Sequence, residues 1–173
     1  MKKTLLRLGS WTLGGALFIG ATSCATTTSP RTEEATEIHS PSMAKQLLGR
    51  RPLSLQWISW DNFGEATVRE DSTGKYQISG EQRGLGEDGD DYVKIQGSVL
   101  RVEDESFVFD GTIQIRVSHI NGGDPYLREG KQEFRLYGNR RFWRLVDMDN
   151  GYGSVDYVDI YFDMKAAKAS PEY

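Results

Sequence analysis

The chain has 173 residues, with 25 acidic side chains, 21 basic side chains and a net charge of −4. This composition argues against nucleic-acid binding, which needs Lys and Arg concentrated on one face. A single cysteine excludes an intramolecular disulfide, so the fold has to rest on a packed apolar core in one small domain.

Residues 1–23 have the parts of a secretory signal peptide. Three basic residues open the chain, an apolar run follows from Leu8 to Gly20, and small residues precede Cys24. The apolar run is shorter than the about 20 residues that a membrane-spanning helix needs. We expect this segment to be removed, which leaves 18 basic and 25 acidic side chains.

The end of the signal resembles that of a bacterial lipoprotein, in which the cysteine is acylated and becomes the new N-terminus. That family usually has Leu, Val or Ile three residues before the cysteine, where this chain has Ala21. Ordinary cleavage nearby, leaving Cys24 as a free thiol, is the alternative. Acylation consumes a thiol that would be reactive in an oxidising compartment, so we expect a lipid anchor on Cys24. Because Ala25 follows rather than Asp, the resemblance implies the outer membrane, with the domain facing the periplasm.

Residues 24–51 are expected to carry the lipid and link it to the domain. The stretch 25–39 is dominated by Thr, Ser, Glu and Pro, and it predicts a flexible tether. A short helix is predicted next, with Ser40 as N-cap, Pro41 at its first position and Gly49 just past its end. Its apolar side chains would lie on one side as a plug or latch: Met43, Leu47 and Leu48.

Residues 52–163 alternate between apolar and polar side chains with the period of a strand that has one buried face. The longest run extends from Phe107 to His119, and the run before it, 93–99, alternates likewise. Matching the two buried faces across the turn at 103–105 predicts three opposed pairs. These are Val99 with Phe109, Ile95 with Ile113, and Gly97 with Gly111.

Shorter strands are predicted at 53–57, 66–68, 76–78, 134–136, 142–146 and 158–162. The strands at 134–136 and 142–146 would form a hairpin across a two-residue turn at Gly138-Asn139. About eight antiparallel strands in sequence order predict an all-β, up-and-down barrel, which leaves no free edges; a sandwich is the alternative. The tail at 164–173 is expected to be a frayed helix or flexible.

A lipid-anchored meander of about eight strands resembles the lipocalin-like barrels. Lipocalins usually carry Gly-x-Trp on the first strand, with an Arg from near the last strands packed on that Trp. This chain has Leu55-Gln56-Trp57 there, without the glycine, and Arg144 is the candidate partner for Trp57. The ending YVDIYF, residues 157–162, is also similar to uncharacterised Gram-negative envelope proteins, a resemblance that implies no activity.

Glycines inside strands mark a bend, or a place where something approaches the backbone. The pair Gly97 and Gly111 therefore predicts either a sharply bent hairpin or interior space for a ligand. The residues expected to line such a space are Trp57, Ile95, Gly97, Gly111, Ile113, Phe134 and His119.

His119 is the one histidine of the predicted barrel and is expected at its mouth. It could act as a base or a metal ligand, or it could cap the end of its strand. Metal binding by histidine usually needs companions, and the barrel sequence has no second His or Cys. The sequence also lacks a nucleophile elbow and a phosphate loop. We therefore expect a structural His119 and a non-enzymatic protein without a cofactor.

Two loops are rich in acidic residues and glycine, at 84–91 and 147–156. Calcium binds several oxygen ligands on such loops, although neither loop has EF-hand spacing. A solvated hairpin loop is the alternative. The calcium candidates in the second loop are Asp147, Asp149, Asn150 and Asp156.

Three functions remain open. The first is an envelope lipoprotein that binds an apolar small molecule or another envelope protein, which an interior cavity would favour. The second is an assembly or interaction protein with a filled core and an apolar surface patch, using exposed aromatic side chains such as Trp60, Tyr157 and Tyr161. The third is an enzyme, which a polar cleft holding His119 beside a carboxylate would favour.

Overall fold

A computed structural model describes residues 34–169 of the chain, so Cys24, the predicted signal peptide and residues 170–173 lie outside the described residues. Within that range nine strands and two α-helices follow one another. The elements are β1 (Glu37–Ile38), α1 (Pro41–Leu47), β2 (Gly49–Leu55), β3 (Gly64–Glu70), β4 (Tyr76–Arg83), β5 (Tyr92–Val102), β6 (Ser106–Arg116), β7 (Tyr126–Arg135), β8 (Phe142–Leu145), β9 (Val158–Tyr161) and α2 (Met164–Ala169).

Strands β2 to β9 form a closed barrel in sequence order. Each strand pairs antiparallel with the next, and β9 returns to β2, where Ile160 lies opposite Leu53. The prediction of an eight-stranded up-and-down barrel is confirmed. The sandwich is excluded because one continuous sheet closes on itself.

The predicted register of the central hairpin is also confirmed. On β5 and β6 the opposed pairs are those that the alternating pattern gave: Val99 with Phe109, Ile95 with Ile113, and Gly97 with Gly111. The ladder is regular until a bulge between Val99 and Arg101. Inward side chains of both strands are therefore directed into one core.

Aromatic side chains fill the end of this core that lies nearest the turn at 103–105. Phe107 and Phe134 stack with ring centroids 5.0 Å apart, and Phe109 meets Phe134 edge-on at 6.4 Å. All three are completely buried. The ring of Phe109 lies over the glycine pair, since a Cβ on either Gly97 or Gly111 would come within 2.6 Å of it. The space left by the two glycines is thus occupied by a side chain of the barrel itself.

We call the two ends of the barrel the base and the mouth. The base carries the loops 71–75, 103–105 and 136–141, together with α1. The mouth carries the loops 56–63, 84–91, 117–125 and 146–157. As predicted, α1 begins at Pro41 and acts as a plug, because Leu47 is fully buried in the core and Met43 packs against it. Ser40 precedes the helix but makes no side-chain capping bond.

The prediction of a flexible tether up to residue 39 is wrong for residues 36–39. Here β1 pairs in parallel with β5, with Glu37 opposite Arg101. Thr36 is buried, and its hydroxyl donates to the carbonyl of Val99 at 2.7 Å. The reason is that β5 is longer than β4 at this end of the barrel. Beyond the bulge in β5, the edge of β5 has no partner in β4, and β1 covers that edge.

Several predicted boundaries also differ from the structure, including the first strand, which was predicted at 53–57 and is β2 at Gly49–Leu55. The β7–β8 connection runs through residues 136–141 rather than a two-residue turn, and β7 begins at Tyr126, well before Phe134. Strand β6 ends at Arg116, so His119 lies beyond it. Of the two alternatives given for the tail, the structure has the helix over Met164–Ala169, whose first turn is capped by Asp163 Oδ1 accepting from the Ala166 N–H at 2.7 Å. Between residues 34 and 169 there is no helix of the length and apolarity needed to cross a bilayer.

Candidate functional site

The mouth of the barrel is partly covered by the β8–β9 loop, residues 146–157, which we call the lid. On one side the carbonyl oxygen of Val155 accepts from Trp57 Nε1 at 3.1 Å and from Gln56 Nε2 at 2.6 Å, just past the end of β2. On the other side the carboxylate of Asp156 reaches Tyr126 at the start of β7. The lid therefore spans the sector of the mouth between β2 and β7.

Arg128 of β7 fastens the lid from below. It lies opposite Ile113, on the inward face of the barrel, and its side chain is only 9% exposed. Its guanidinium donates to the carbonyl oxygens of Asp147 at 3.1 Å, Met148 at 3.2 Å and Asp149 at 2.7 Å. One inward-facing arginine thus holds three successive lid carbonyls.

Asp156 supplies the counter-charge for this arginine. Its carboxylate is fully buried and lies 3.1 Å from Arg128 Nη2. It also accepts from the Tyr126 hydroxyl at 3.1 Å and from Asn150 Nδ2 at 3.3 Å. A buried carboxylate with three donors, one of them charged, is well compensated for its lost hydration.

Tyr126 is held in its neutral form by this arrangement. Burial raises the pKa of its phenol, and the adjacent Asp156 carboxylate raises that pKa further. A protonated phenol donating to a carboxylate is a structural contact and a poor general base at neutral pH. One guanidinium atom, Arg128 Nε, is buried without a hydrogen-bond partner among the described residues. The chemistry of the cluster is therefore that of a clamp on the lid.

The predicted ligand-lining residues do not share one space. Trp57 and His119 do meet at the mouth, edge to face, with ring centroids 5.5 Å apart. Ile95 and Ile113 are buried deeper in the core, and Phe134 stacks near the base. Gly97 and Gly111 face the ring of Phe109. The predicted set is spread along the length of the barrel.

His119 is exposed and lies three residues beyond the end of β6. Its described ring contact is the edge of Trp57, which itself packs half-buried against the core. The two buried carboxylates at the mouth are engaged elsewhere: Asp156 faces Arg128, and Asp91 accepts from the Ser118 N–H at 2.9 Å. His119, Asp156 and Asp91 therefore do not form the geometry expected of an enzyme, in which an imidazole lies beside a carboxylate in a cleft.

The side-chain oxygens of the four calcium candidates in the lid are engaged with different partners or exposed. Asp149 Oδ1 accepts from the Gly151 N–H at 2.9 Å, and Asn150 Oδ1 accepts from the Tyr152 N–H at 2.9 Å. Asp156 is turned toward Arg128, whereas the Asp147 side chain is 75% exposed. Across residues 34–169, no three His, Cys, Asp or Glu side chains converge as metal ligands would. These oxygens shape the loop.

Arg144 is not the partner that the lipocalin resemblance implied for Trp57. Its neighbour Trp143 packs inward on Phe107, so Arg144 is directed to the outer wall, where it binds Asp159. Its guanidinium also covers the ring of Tyr157 at 4.1 Å. Trp57 meets His119 instead.

Four of the seven large apolar side chains that are exposed among the described residues lie at the mouth end, namely Leu85 at 70% exposure, Leu127 at 54%, Tyr152 at 49% and Val155 at 39%. The other three, Ile38, Tyr137 and Met164, lie toward the base. The aromatics predicted to be exposed behave differently, because Tyr161 is buried and Tyr157 is half-buried under Arg144. Trp60 is also half-buried.

The sequence reading missed Arg128 and Tyr126, although a signal for them existed. Tyr126, Arg128 and Phe134 have the same parity, so a β7 extended back to residue 126 puts all three on the buried face. An arginine on a buried face needs an acidic partner, because an unpaired buried charge is costly, and Asp156 in the acidic lid is such a partner.

Comparison with known proteins gives two matches. The profile of the PM1083 family matches residues 35–162. A protein of Pasteurella multocida (strain Pm70), named uncharacterized protein PM1083, is 42% identical to this chain over 118 residues, which cover 68% of this chain and 74% of that protein. No solved structure matches the chain. The relative's name assigns no activity, so function has to be argued from the barrel.

Proposed function

This chain belongs to the PM1083 family, and we propose that it is a non-enzymatic lipoprotein of the bacterial envelope whose barrel binds another envelope protein at its mouth. The observation that carries this proposal is the filled interior. The Phe109 ring occupies the space over the paired glycines, and Phe107 and Phe134 stack beneath it. An interior packed with the chain's own side chains favours recognition on the outside of the barrel.

The mouth is the surface best suited to that recognition. Its exposed apolar side chains are contributed by three separate loops or strand ends: Leu85, Leu127, Tyr152 and Val155. Exposed apolar patches with a polar surround are typical of protein-binding sites, and tyrosine is common at their centres. The Arg128 clamp supports the proposal further, because it fixes the lid that presents Tyr152.

The envelope location rests on the N-terminal sequence that ends at Cys24. It is tested by a Cys24→Ser variant of the full chain. The parent should fractionate with membranes and carry acyl mass on its first mature residue, whereas the variant should leave the membrane fraction. A parent without acyl mass, together with a variant that still fractionates with membranes, would refute the anchor.

Partner binding is tested by purifying the full chain from native membranes and identifying what co-purifies by mass spectrometry. Tyr152→Asp and Leu85→Asp each place a charge on the mouth. Tyr137→Asp is the matched control, since Tyr137 is an exposed aromatic at the base. We expect a protein that co-purifies with the parent and with Tyr137→Asp but is lost from both mouth variants.

Two results would contradict this function. A co-purifying protein that is retained by both mouth variants does not bind the mouth. A small apolar molecule found in native mass spectra of the barrel, with no protein partner, would instead establish the small-ligand function that the sequence left open.

A further inference from the structure

A cavity of about 440 Å³ lies on the outer side of the barrel, between the β7–β8 connection and the helix α2. The connection contributes Arg140 and Arg141 to its lining, and Phe142 at the start of β8 lies beside them. From α2 come Ala166 and Ala169, which are three residues apart and therefore share one face of the helix. The volume is in the range of cavities that hold a ligand.

Both sides of the cavity are held in place by one carboxylate. Asp163 Oδ1 caps the first turn of α2 by accepting from the Ala166 N–H at 2.7 Å, and Asp163 Oδ2 accepts from Arg141 Nη2 at 2.9 Å. The Phe142 ring packs against Tyr161 of β9, with ring centroids 5.0 Å apart. The cavity is therefore preformed, and a group that enters it does not have to order its walls.

The chemistry of the cavity fits an acidic side chain beside an aromatic one. Its described lining contains two guanidinium groups and no carboxylate. The charge of Arg141 is shared with Asp163, whereas Arg140 lies over the ring of Phe142 at 5.6 Å. A carboxylate in the cavity would accept charge-assisted hydrogen bonds from arginine. An aromatic ring would pack against Phe142 and the guanidinium plane.

The chain supplies this pair of side chains directly after α2. Residues 170–173 read Ser-Pro-Glu-Tyr, so Glu172 is followed by Tyr173. Ala169, the residue before them, already lines the cavity. Four residues reach at most about 14 Å, which keeps both side chains close to it. Pro171 disfavours the helical conformation at the residue before it, so we expect the chain to turn away from the axis of α2 there.

We propose that residues 170–173 occupy this cavity as a strap, in which Glu172 binds Arg140 and Tyr173 packs against Phe142. The strap holds α2 on the outer wall formed by β8 and β9. The cavity is then a recognition site for an acidic residue followed by an aromatic one, and the chain fills it with its own residues. This inference does not depend on the proposed partner at the mouth.

The position of the strap is tested by photo-crosslinking of the full chain in detergent. The photoreactive amino acid p-benzoylphenylalanine replaces Tyr173, and the crosslinked peptides are identified by mass spectrometry. We expect crosslinks to residues 137–142, in a product with the mass of a single chain. The same amino acid in place of Tyr152, an exposed residue of the lid at the other end of the barrel, is the control. It should not crosslink to residues 137–142.

The charge pairing is tested by a double-mutant cycle with Glu172→Gln and Arg140→Gln. Arg140 also opposes the raised pKa of the Asp159 carboxyl, and the cycle subtracts this second effect. We expect Glu172→Gln to speed hydrogen exchange in α2 at least about threefold in the parent, and to have no further effect in the Arg140→Gln chain. Glu129→Gln, an exposed carboxylate on β7, is the matched control and should leave exchange in α2 unchanged.

Three results would overturn the proposal. Crosslinks from position 173 that are absent, or scattered over the barrel, would show that the segment does not occupy the cavity. A crosslinked product with twice the mass of the chain would place the segment on a second copy. An effect of Glu172→Gln that is equal in the two backgrounds, or absent from both, would show that Glu172 does not bind Arg140.

Discussion

The guanidinium of Arg144 donates two parallel hydrogen bonds to the carboxylate of Asp159, with Nε to Oδ1 at 2.7 Å and Nη2 to Oδ2 at 2.6 Å. The side chains are 6% and 0% exposed. Burial raises the pKa of the Asp159 carboxyl, and Arg144 opposes that rise. The pair lies on the outer wall, so it joins β8 to β9 without entering the core.

Asp159→Asn should therefore be strongly destabilising. The substitution keeps the shape of the side chain but leaves the Arg144 charge buried without its counter-ion, which typically costs about 3–5 kcal/mol. Urea unfolding measures the loss. Glu65→Gln removes the carboxylate of the exposed pair with Arg50 and should cost less than about 1 kcal/mol. Equal losses in the two variants would mean that Asp159 is hydrated in solution.

Gly111→Val should destabilise the barrel at a crowded point between β5 and β6. A Cβ at this position would overlap the carbonyl oxygen of Gln96 and lie 2.6 Å from the Cα of Gly97. Backbone atoms cannot move aside cheaply, so we expect a loss of about 3 kcal/mol, at the upper end for overpacking. Thr112→Val, on the next residue and the opposite face, is the control and should change stability by less than about 0.5 kcal/mol. An unchanged melting temperature for Gly111→Val would mean that the two strands separate there at little cost.

Stability should fall in alkaline solution because of Tyr126. Its pKa is raised in the folded protein, mainly by burial, so the unfolded chain releases this proton first. The stabilisation is fully present below the unfolded tyrosine pKa of about 10 and declines above it, by about 1.4 kcal/mol per pH unit. Tyr126→Phe should remove this part of the alkaline slope.

The same variant should be less stable than the parent near neutral pH, since Asp156 loses a hydrogen-bond donor. Tyr137→Phe, in the exposed β7–β8 connection, is the control. The expectation is checked by urea unfolding between pH 7 and pH 11. Parallel alkaline slopes for the parent and Tyr126→Phe would show that the phenol is not held neutral by the fold.

The lid should loosen when its counter-charge is removed. Asp156→Asn removes the carboxylate that neutralises the buried charge of Arg128. The guanidinium is then less stable in the position from which it donates to the lid carbonyls. We expect hydrogen exchange at residues 146–157 to speed up at least about tenfold, which corresponds to about 1.4 kcal/mol. Asp147→Asn, on the same loop but 75% exposed, should leave exchange unchanged. Unchanged exchange in Asp156→Asn would show that other contacts hold the lid.

Sequence pattern predicted the fold where burial alone decides the residue type. The opposed pairs of β5 and β6 followed from an unbroken apolar stripe, because a slip of one residue would turn every apolar side chain outward. The pattern failed on β7, where inward positions hold Arg128, Gly130 and Gln132 rather than apolar residues. The clamp was missed for the same reason, since its partner Asp156 lies 28 positions away and is recognisable only once β7 is placed.

The N-terminal segment was mispredicted for a different reason. Residues 36–39 have no apolar periodicity, yet they are ordered by backbone pairing with β5 and by the hydroxyl of Thr36. Backbone hydrogen bonding leaves little mark on composition. The edge that β1 covers lies where β5 continues past the start of β4, beyond a bulge after Val99 that the regular alternation of β5 did not reveal.

If Cys24 carries the proposed lipid, the pairing of β1 with β5 limits how far the barrel can stand from the membrane. Cys24 and Thr36 are 12 positions apart, and a fully extended chain of that length reaches roughly 40 Å. If the chain were free up to Pro52, where the predicted barrel begins, the extended length from Cys24 would be roughly 100 Å. With lipid on Cys24, a two-residue parallel ladder would therefore keep the base within less than half of that distance. Release of β1 and α1 would let the mouth reach partners that are otherwise too far from the bilayer.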